Sequence, residues 1–229
     1  MIIIDIEASG TEYEKHSIVS IGALDFDSPK NRFYAECRIW DTTDVRGTSL
    51  GLAETFCEQC GTKCSVNGQP QLKAHIMDDA LAVNGFTRDE ITDPQKQSEG
   101  EIVRAFFEWS QHMGDRTLAG QNVSFDRDFL KFACRREGLP WDLAHRTIDT
   151  HTLCYMHMVH HGIQPPIDVQ HRRSALNLDA VLNYCGIENE PQPHNALTGA
   201  LSHAEVISRL LYGKKLVPEF EQYSIPWVK

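Results

Sequence analysis

The sequence predicts an α/β fold with a mixed sheet, on three observations. Three strand-like segments with short links open the chain. Helical and strand-like stretches alternate from residue 99 onward. The length of 229 residues suits one domain with a small insertion. Ile2–Ile6, Ile18–Phe26 and Phe33–Trp40 read as strands, the last two separated by a Ser28-Pro29-Lys30-Asn31 break, and their short links make an antiparallel meander. Residues 41–75 lose all periodicity, turn polar and gain three cysteines, and read as an insertion or long loop. Residues 99–113 place Ile102, Val103, Phe106, Phe107 and Trp109 on one broad apolar helical face. Thr117–Gly120 is a short strand. Ser124 caps a helix running to Glu137, which Gly138-Leu139-Pro140 stops. Thr147–Thr150 is a further strand. Helices are expected over 151–161, 177–185 and 195–212, the last ending at Gly213 and leaving 214–229 as a tail.

Composition narrows the function classes. A hydrophobic share of 41% with 24% charged residues is that of an ordinary soluble domain. No apolar run approaches the ~20 residues of a membrane span, and the amino terminus carries no signal-peptide pattern. Seven irregularly spaced cysteines argue against a disulfide framework, so the cytoplasm is the expected compartment. The net charge of −10 argues against gripping a long duplex by phosphate neutralisation. If the partner is nucleic acid, metal ions, backbone N–H groups and base stacking at a strand end supply the grip, with a shallow salt dependence.

Three distant segments carry the chemistry. Asp5 and Glu7 close the first apolar run. Along a regular strand the expectation is that they face opposite sides, turning toward one cation only where the pleat relaxes into Ala8-Ser9-Gly10. Asp126 falls in the first turn of a helix. Hard divalent cations take oxygen ligands, and two of them ~4 Å apart stabilise both the attacking and the leaving oxygen of an in-line displacement at phosphorus. His194 supplies a base, because a neutral imidazole titrates near working pH. Pro191 and Pro193 hold the approach to it extended, with Asn195 as helix cap.

Asp5-Ile-Glu7-Ala-Ser-Gly10, Asn122-Val-Ser-Phe125-Asp126 and His194-Asn-Ala-Leu-Thr-Gly199-Ala together resemble the three exonuclease motifs of the DEDD superfamily, histidine branch. That branch holds polymerase proofreading subunits, ribonuclease T and oligoribonuclease. Ala82-Val83-Asn84-Gly85-Phe86-Thr87 resembles the turn between its first two motifs. Each motif alone is weak; their order and spacing together are specific. The resemblance implies a ribonuclease H-like five-stranded sheet flanked by helices, and 3′-to-5′ removal of nucleotides from single-stranded DNA or RNA ends with two Mg²⁺ or Mn²⁺ ions. It implies that Asp5 bridges both cations, Glu7 binds the first, Asp126 serves the second and His194 is the base. Ala8, Ser9 and Gly10 would approach the terminal nucleotide through backbone. Asn122 belongs to the same motif, and Phe86 and Phe125 would pack near the bases. A homodimer or a larger assembly is left open.

One departure is severe. Gly199 stands where the pattern has its last metal-binding aspartate, and glycine inside a helix costs ~1 kcal/mol relative to alanine. Either the active site is disabled or close packing wants glycine, and disablement is the preferred reading. The alternative function is therefore a non-cleaving module that binds nucleic-acid ends or a protein.

Three other clusters have bland readings beside the sharp ones. Cys57-Glu-Gln-Cys60-Gly-Thr-Lys-Cys64 resembles half a zinc knuckle, with His75 or Cys37 to complete it, but no second Cys-x-x-Cys pair exists and free thiols are the preferred reading. His157, His160 and His161 have metal-site spacing on a helix, yet a partly solvated face explains them. Arg127, Lys131 and Arg135 form a basic stripe that either guides a phosphate backbone or is a solvated face; Arg172-Arg173 has the same standing.

Overall fold

The computed structural model describes residues 1–41 and 73–228, together with the backbone of 65–66 and 69–70. The strands are β1 (Ile2–Ala8), β2 (Ile18–Asp25), β3 (Ser28–Glu36), β4 (Ser65–Val66), β5 (Gln69–Pro70), β6 (Leu118–Gly120), β7 (Thr147–Asp149), β8 (Ile167–Asp168) and β9 (Arg173–Ser174). The helices are α1 (Asp78–Asn84), α2 (Arg88–Thr92), α3 (Glu99–Ser110), α4 (Ser124–Glu137), α5 (Thr150–His160), α6 (Leu178–Tyr184) and α7 (Ala196–Tyr212). The main sheet has the order β3-β2-β1-β6-β7. Pairing is antiparallel from β3 to β1 and parallel from β1 to β7, so the sheet is mixed.

β1 lies at the centre of that sheet, which explains its unbroken apolar character. Ile2, Ile4 and Ile6 face the larger core, with Phe106, Phe129 and Leu130 from α3 and α4. Ile3 faces the opposite core, with Ala200, Ala204 and Ile207 from α7. Alternation along a strand then puts Asp5 and Glu7 on the side of Ile3, toward α7. The expectation that they would face opposite sides is corrected here. At positions i and i+2 they share a pleat face, and the bulge in the β1–β2 ladder falls after them, between Glu7 and Ala8.

Two further boundaries differ from expectation. β3 begins at Ser28 rather than Phe33, because the chain turns tightly between Asp25 and Ser28, which are paired. Pro29 is tolerated because β3 is an edge strand. Ser124 is the first helical residue of α4, not its cap; Val123 holds the cap position and its N–H donates to Asp149 Oδ2 at 3.2 Å. Helices α1 and α2 and the β8–β9 hairpin were not expected. Their local signals were present: Gly85 ends α1 in the left-handed region at φ 74°, and Thr87 with Glu90 forms a capping box for α2.

Residues 214–228 pack back onto the domain, with Val217 and Ile225 buried. Arg209 of α7 donates to the carbonyls of Phe220, Tyr223 and Ser224 in this segment. Cys57, Cys60 and Cys64 lie outside the described residues, as does most of 41–75. Among the described residues, no helix is long and apolar enough to cross a membrane.

Candidate active site

Helix α7 rests on the sheet over a glycine of β2, and a second glycine, in the helix itself, faces β1. Gly22 of β2 pairs directly with Asp5. A Cβ at Gly22 would sit 2.1 Å from the backbone carbonyl carbon of Ala196, so only glycine permits the helix to rest there. Gly199, one turn further along, faces Asp5 itself. A Cβ at 199 would sit 2.2 Å from Asp5 Oδ2. The two glycines differ in kind. Gly22 meets fixed backbone, whereas Gly199 meets the free end of a side chain that can swing aside. Packing therefore requires Gly22 and does not require Gly199.

Asp5, Glu7 and Asp126 come together from β1 and the first turn of α4. Asp126 is buried, and burial followed by the charges of Glu7 and Asp149 pushes its carboxyl up to about 8. Burial, then Asp126, Glu7 and Glu190, holds Asp5 well above the usual carboxylate range. Burial and then Glu190 push Glu7 up to about 7. The strongest charges on Asp5 are thus all acidic, a concentration of negative charge that favours a cation or protons.

His194 enters from the approach to α7. Its backbone N–H donates to Val83 O at 3.0 Å, which ties it to the end of α1. Asn195 caps α7 as expected, its Oδ1 accepting from the N–H groups of Leu197 and Thr198. His194 Nδ1 lies 4.0 Å from Glu190 Oε2. His194 thus approaches the acids through Glu190, whose charge acts on Asp5 and Glu7, and Gly199 stands beside Asp5.

Other expected contacts are distributed differently. Ser9 is fully buried, and its N–H and C=O are engaged with Ser17 O and Met77 N–H. Gly10 packs under the His16 ring, and Ala8 O accepts from Asn84 Nδ2. Phe86 is half-buried against the small core around Leu81 and Ile91. Phe125 packs on Phe129, ring centroids 4.7 Å apart. Asn122 is exposed at φ 51°, a conformation that asparagine tolerates.

The remaining clusters have structural partners. Cys37 is buried with its Sγ 3.1 Å from Ile18 O, and His75 lies on the surface with its backbone bonded to Ser9 and Lys15. His157 stacks on His161 and bonds the Tyr184 hydroxyl, beside Trp227. Arg127 pairs with Asp128, Lys131 covers Trp141 and Arg135 covers Phe132. Arg173 lies 3.7 Å from Asp168 in the β8–β9 hairpin.

That hairpin borders a polar cleft of about 850 Å³ with Asn122, Asp149, His151 and Asp168 on its walls. Asp149 links the cleft to the acids, since it bonds the Val123 N–H and raises the proton affinity of Asp126.

Sequence reasoning missed Glu190, Tyr34 and Asn84. The Tyr34 hydroxyl accepts from Asn195 Nδ2 and donates to Glu36; burial and Glu36 push it up to about 12, with a smaller effect from Glu7. The Asn84 side chain donates to Glu7 and so lowers it. Asn84 sat in the turn segment already singled out. Glu190, four residues before His194, carried no recognisable pattern.

The donor chemistry fits hard divalent cations: the groups are carboxylate oxygens with no thiolate among them, and acids dominate the charge around Asp5. Among the described residues, no three Asp, Glu, His or Cys side chains stand where they could hold a metal ion together. The Asp5 carboxylate occupies the space that a side chain at 199 would enter.

A mixed five-stranded sheet flanked by helices is the fold of exonuclease domains. Residues 1–211 match the family described as the 3′-5′ exoribonuclease Rv2179c-like domain, and the chain belongs to that family. No curated protein sequence matches it. Among solved structures, it is similar to the nuclease domain of 3′hExo, a DEDDh family member bound to rAMP, with TM-score 0.59 and 17% identity over 94% of this chain and 93% of that one. It is also similar to E. coli Exonuclease I in complex with a 5cy-dT13 oligonucleotide (TM-score 0.61, 13% identity, 93% of this chain and 41% of that one). Exonuclease I from Methylocaldum szegediense gives TM-score 0.59 and 16% identity over 93% and 41%. The chain spans about two fifths of the length of those Exonuclease I chains.

Proposed function

We propose that this chain is a 3′-to-5′ exonuclease that hydrolyses the terminal phosphodiester of single-stranded nucleic acid, RNA foremost, with activity attenuated by Gly199. The observation that carries the reading is the closeness of Asp5, Glu7 and Asp126, whose charges raise one another's proton affinity, with Gly199 against Asp5. Asp5, Glu7 and Asp126 would hold two Mg²⁺ or Mn²⁺ ions. Bound there, the ions supply electrophilic activation of the phosphate and stabilisation of the leaving oxygen. His194 accepts the proton of the attacking water, and its backbone tie to Val83 fixes where the ring enters. The polar cleft beside Asn122 and Asp149 takes the nucleotides upstream of the scissile bond, with Arg173 at its far wall. RNA is favoured by the family's exoribonuclease description and supported by the rAMP bound to 3′hExo. Among the described residues, four cysteines are buried and free of disulfides, which suits a reducing compartment such as the cytoplasm.

Gly199 favours a second reading, a module that holds strand ends without cutting. One assay separates the two. End-labelled single-stranded RNA and DNA are incubated with the chain and with Gly199→Asp at matched Mn²⁺. The revertant is expected to shorten RNA from its 3′ end on the order of 100-fold faster or more, a barrier change of about 2.7 kcal/mol. Swinging Asp5 off the helix is part of that gain. Equal rates in both proteins would remove the attenuation, and no cleavage by either would favour the binding module.

A further inference from the structure

From Ile18 to Leu24 strand β2 is buried at every position, yet its third residue carries a hydroxyl. Ser20 is fully buried, and its Oγ has no hydrogen-bond partner among the described residues. A buried hydroxyl left unanswered is costly, and alanine at the same place would avoid the cost. A polar group kept under those terms points to a partner that it serves.

The sheet register fixes what the hydroxyl faces. Ser20 is paired with Glu7 on β1 and with Glu36 on β3. Directly opposed residues project to the same side of a sheet, with Cβ atoms about 4.5–5.5 Å apart. Ser20 therefore lies on the α7 side, between two carboxylates, as does Gly22, which meets Ala196 of α7. Glu36 is already answered on both oxygens, by the Tyr34 hydroxyl at 2.8 Å and by Lys96 Nζ at 3.1 Å. Glu7 takes a side-chain bond from Asn84, which leaves further acceptor sites open on its carboxylate. The ladder also shifts beside this pair. Glu7 pairs with Ser20 but Ala8 pairs with Ile18, so Val19 is an extra residue on β2. A bulge of this kind re-aims the side chains next to it and is over-represented beside active sites.

We infer that Ser20 is a positioning residue for Glu7, donating its O–H to a Glu7 carboxylate oxygen while that carboxylate holds a cation. This rests on the two-cation reading above. A carboxylate that ligates a metal is itself held by hydrogen bonds, which fix its plane and leave the cation one geometry to meet. Asn84 of α1 and Ser20 of β2 supply those bonds from two different elements.

Cation binding tests this without substrate. Mn²⁺ affinity is measured by calorimetry and by the electron paramagnetic resonance of free Mn²⁺, in the unaltered chain and in Gly199→Asp. Thermal unfolding is followed in EDTA. Ser20→Ala is expected to weaken Mn²⁺ binding about tenfold, the usual cost of losing such a partner. Its melting temperature in EDTA should be unchanged or higher, since the cation-free chain loses no bond. A hydroxyl that only supports the sheet would give the reverse, a lower melting temperature with unchanged affinity. With Glu36 already changed to Gln, Ser20→Ala should still cost about tenfold; disappearance of the effect there would tie the hydroxyl to Glu36 and overturn the assignment. Unchanged affinity in Ser20→Ala would overturn it as well, leaving a buried water as the partner. If Mn²⁺ binds only to Gly199→Asp, the same comparisons in that background decide, and no effect of Ser20→Ala there sinks the assignment while the two-cation reading stands. If neither protein binds Mn²⁺, both fail.

Discussion

The two ends of helix α7 treat buried charge in opposite ways. Near its start, Gly199 faces Asp5 within a group of acids that raise one another's proton affinity. Roughly two to three turns further, Glu205 and Arg209 are both fully buried and bonded to each other at 2.7 Å. Glu205 also accepts from the N–H groups of Leu216 and Val217, and Arg209 donates to the carbonyls of Cys185, Phe220, Tyr223 and Ser224. A buried charge whose every bond is answered within the chain is a fastening. A buried charge left in excess is a site waiting for something the chain does not contain.

The sharpest way to break that contrast is to unpair the fastening. Arg209→Ala leaves Glu205 buried without its cation and frees the segment 214–228. It should cost roughly 3–5 kcal/mol in urea unfolding, with amide exchange rising first in residues 216–225. A loss below about 1 kcal/mol would mean that the two ends of the helix are energetically alike.

The acid end should respond in the opposite sense. Asp126 has its proton affinity raised from 3.8 to about 8, first by burial. A carboxyl raised in this way contributes stability below its unfolded value that is lost as pH rises through its folded value. In EDTA the chain should therefore lose stability between about pH 4 and 8, on the order of a few kcal/mol with Glu7 contributing. Asp126→Asn should flatten that slope and be the more stable protein at pH 8.5. An unchanged slope in the variant would place the pH sensitivity elsewhere.

Much of this was legible in the sequence, for identifiable reasons. The long elements were found because periodicity and stop residues agree: α3 with its apolar face, α4 ending at Gly138, α7 from its Asn195 cap to Gly213. Asp5, Glu7, Asp126 and His194 could be proposed from the sequence because chemistry fixes residue type and order within each motif. The short helices α1 and α2 escaped, since seven and five residues carry too little period, although Gly85 and the Thr87–Glu90 box mark them. The face shared by Asp5 and Glu7 was misread although the period of two was available. Glu190 was invisible for a different reason. Its relation to Glu7 and Asp5 is made by the fold across more than 180 positions, and no local pattern encodes it.

The smallest expected effect concerns the outer surface rather than the helix. With a net charge of −10, electrostatic grip on a strand must come from a few cations. The stripe on α4 is largely occupied, Arg127 by Asp128 and the other two by aromatic rings. Arg173, at the wall of the polar cleft and 3.7 Å from Asp168, is the better placed for a phosphate. Binding of a labelled single-stranded RNA, followed by anisotropy in Ca²⁺, should then fall with salt along a shallow log–log slope of about −2. That corresponds to two or three phosphates at ~0.7 each. Arg173→Ala should make the slope shallower by about 0.7, the share of one phosphate. A slope steeper than about −4, or one indifferent to Arg173, would mean that a basic surface outside this cleft carries the strand, and that the acid pocket receives only its end.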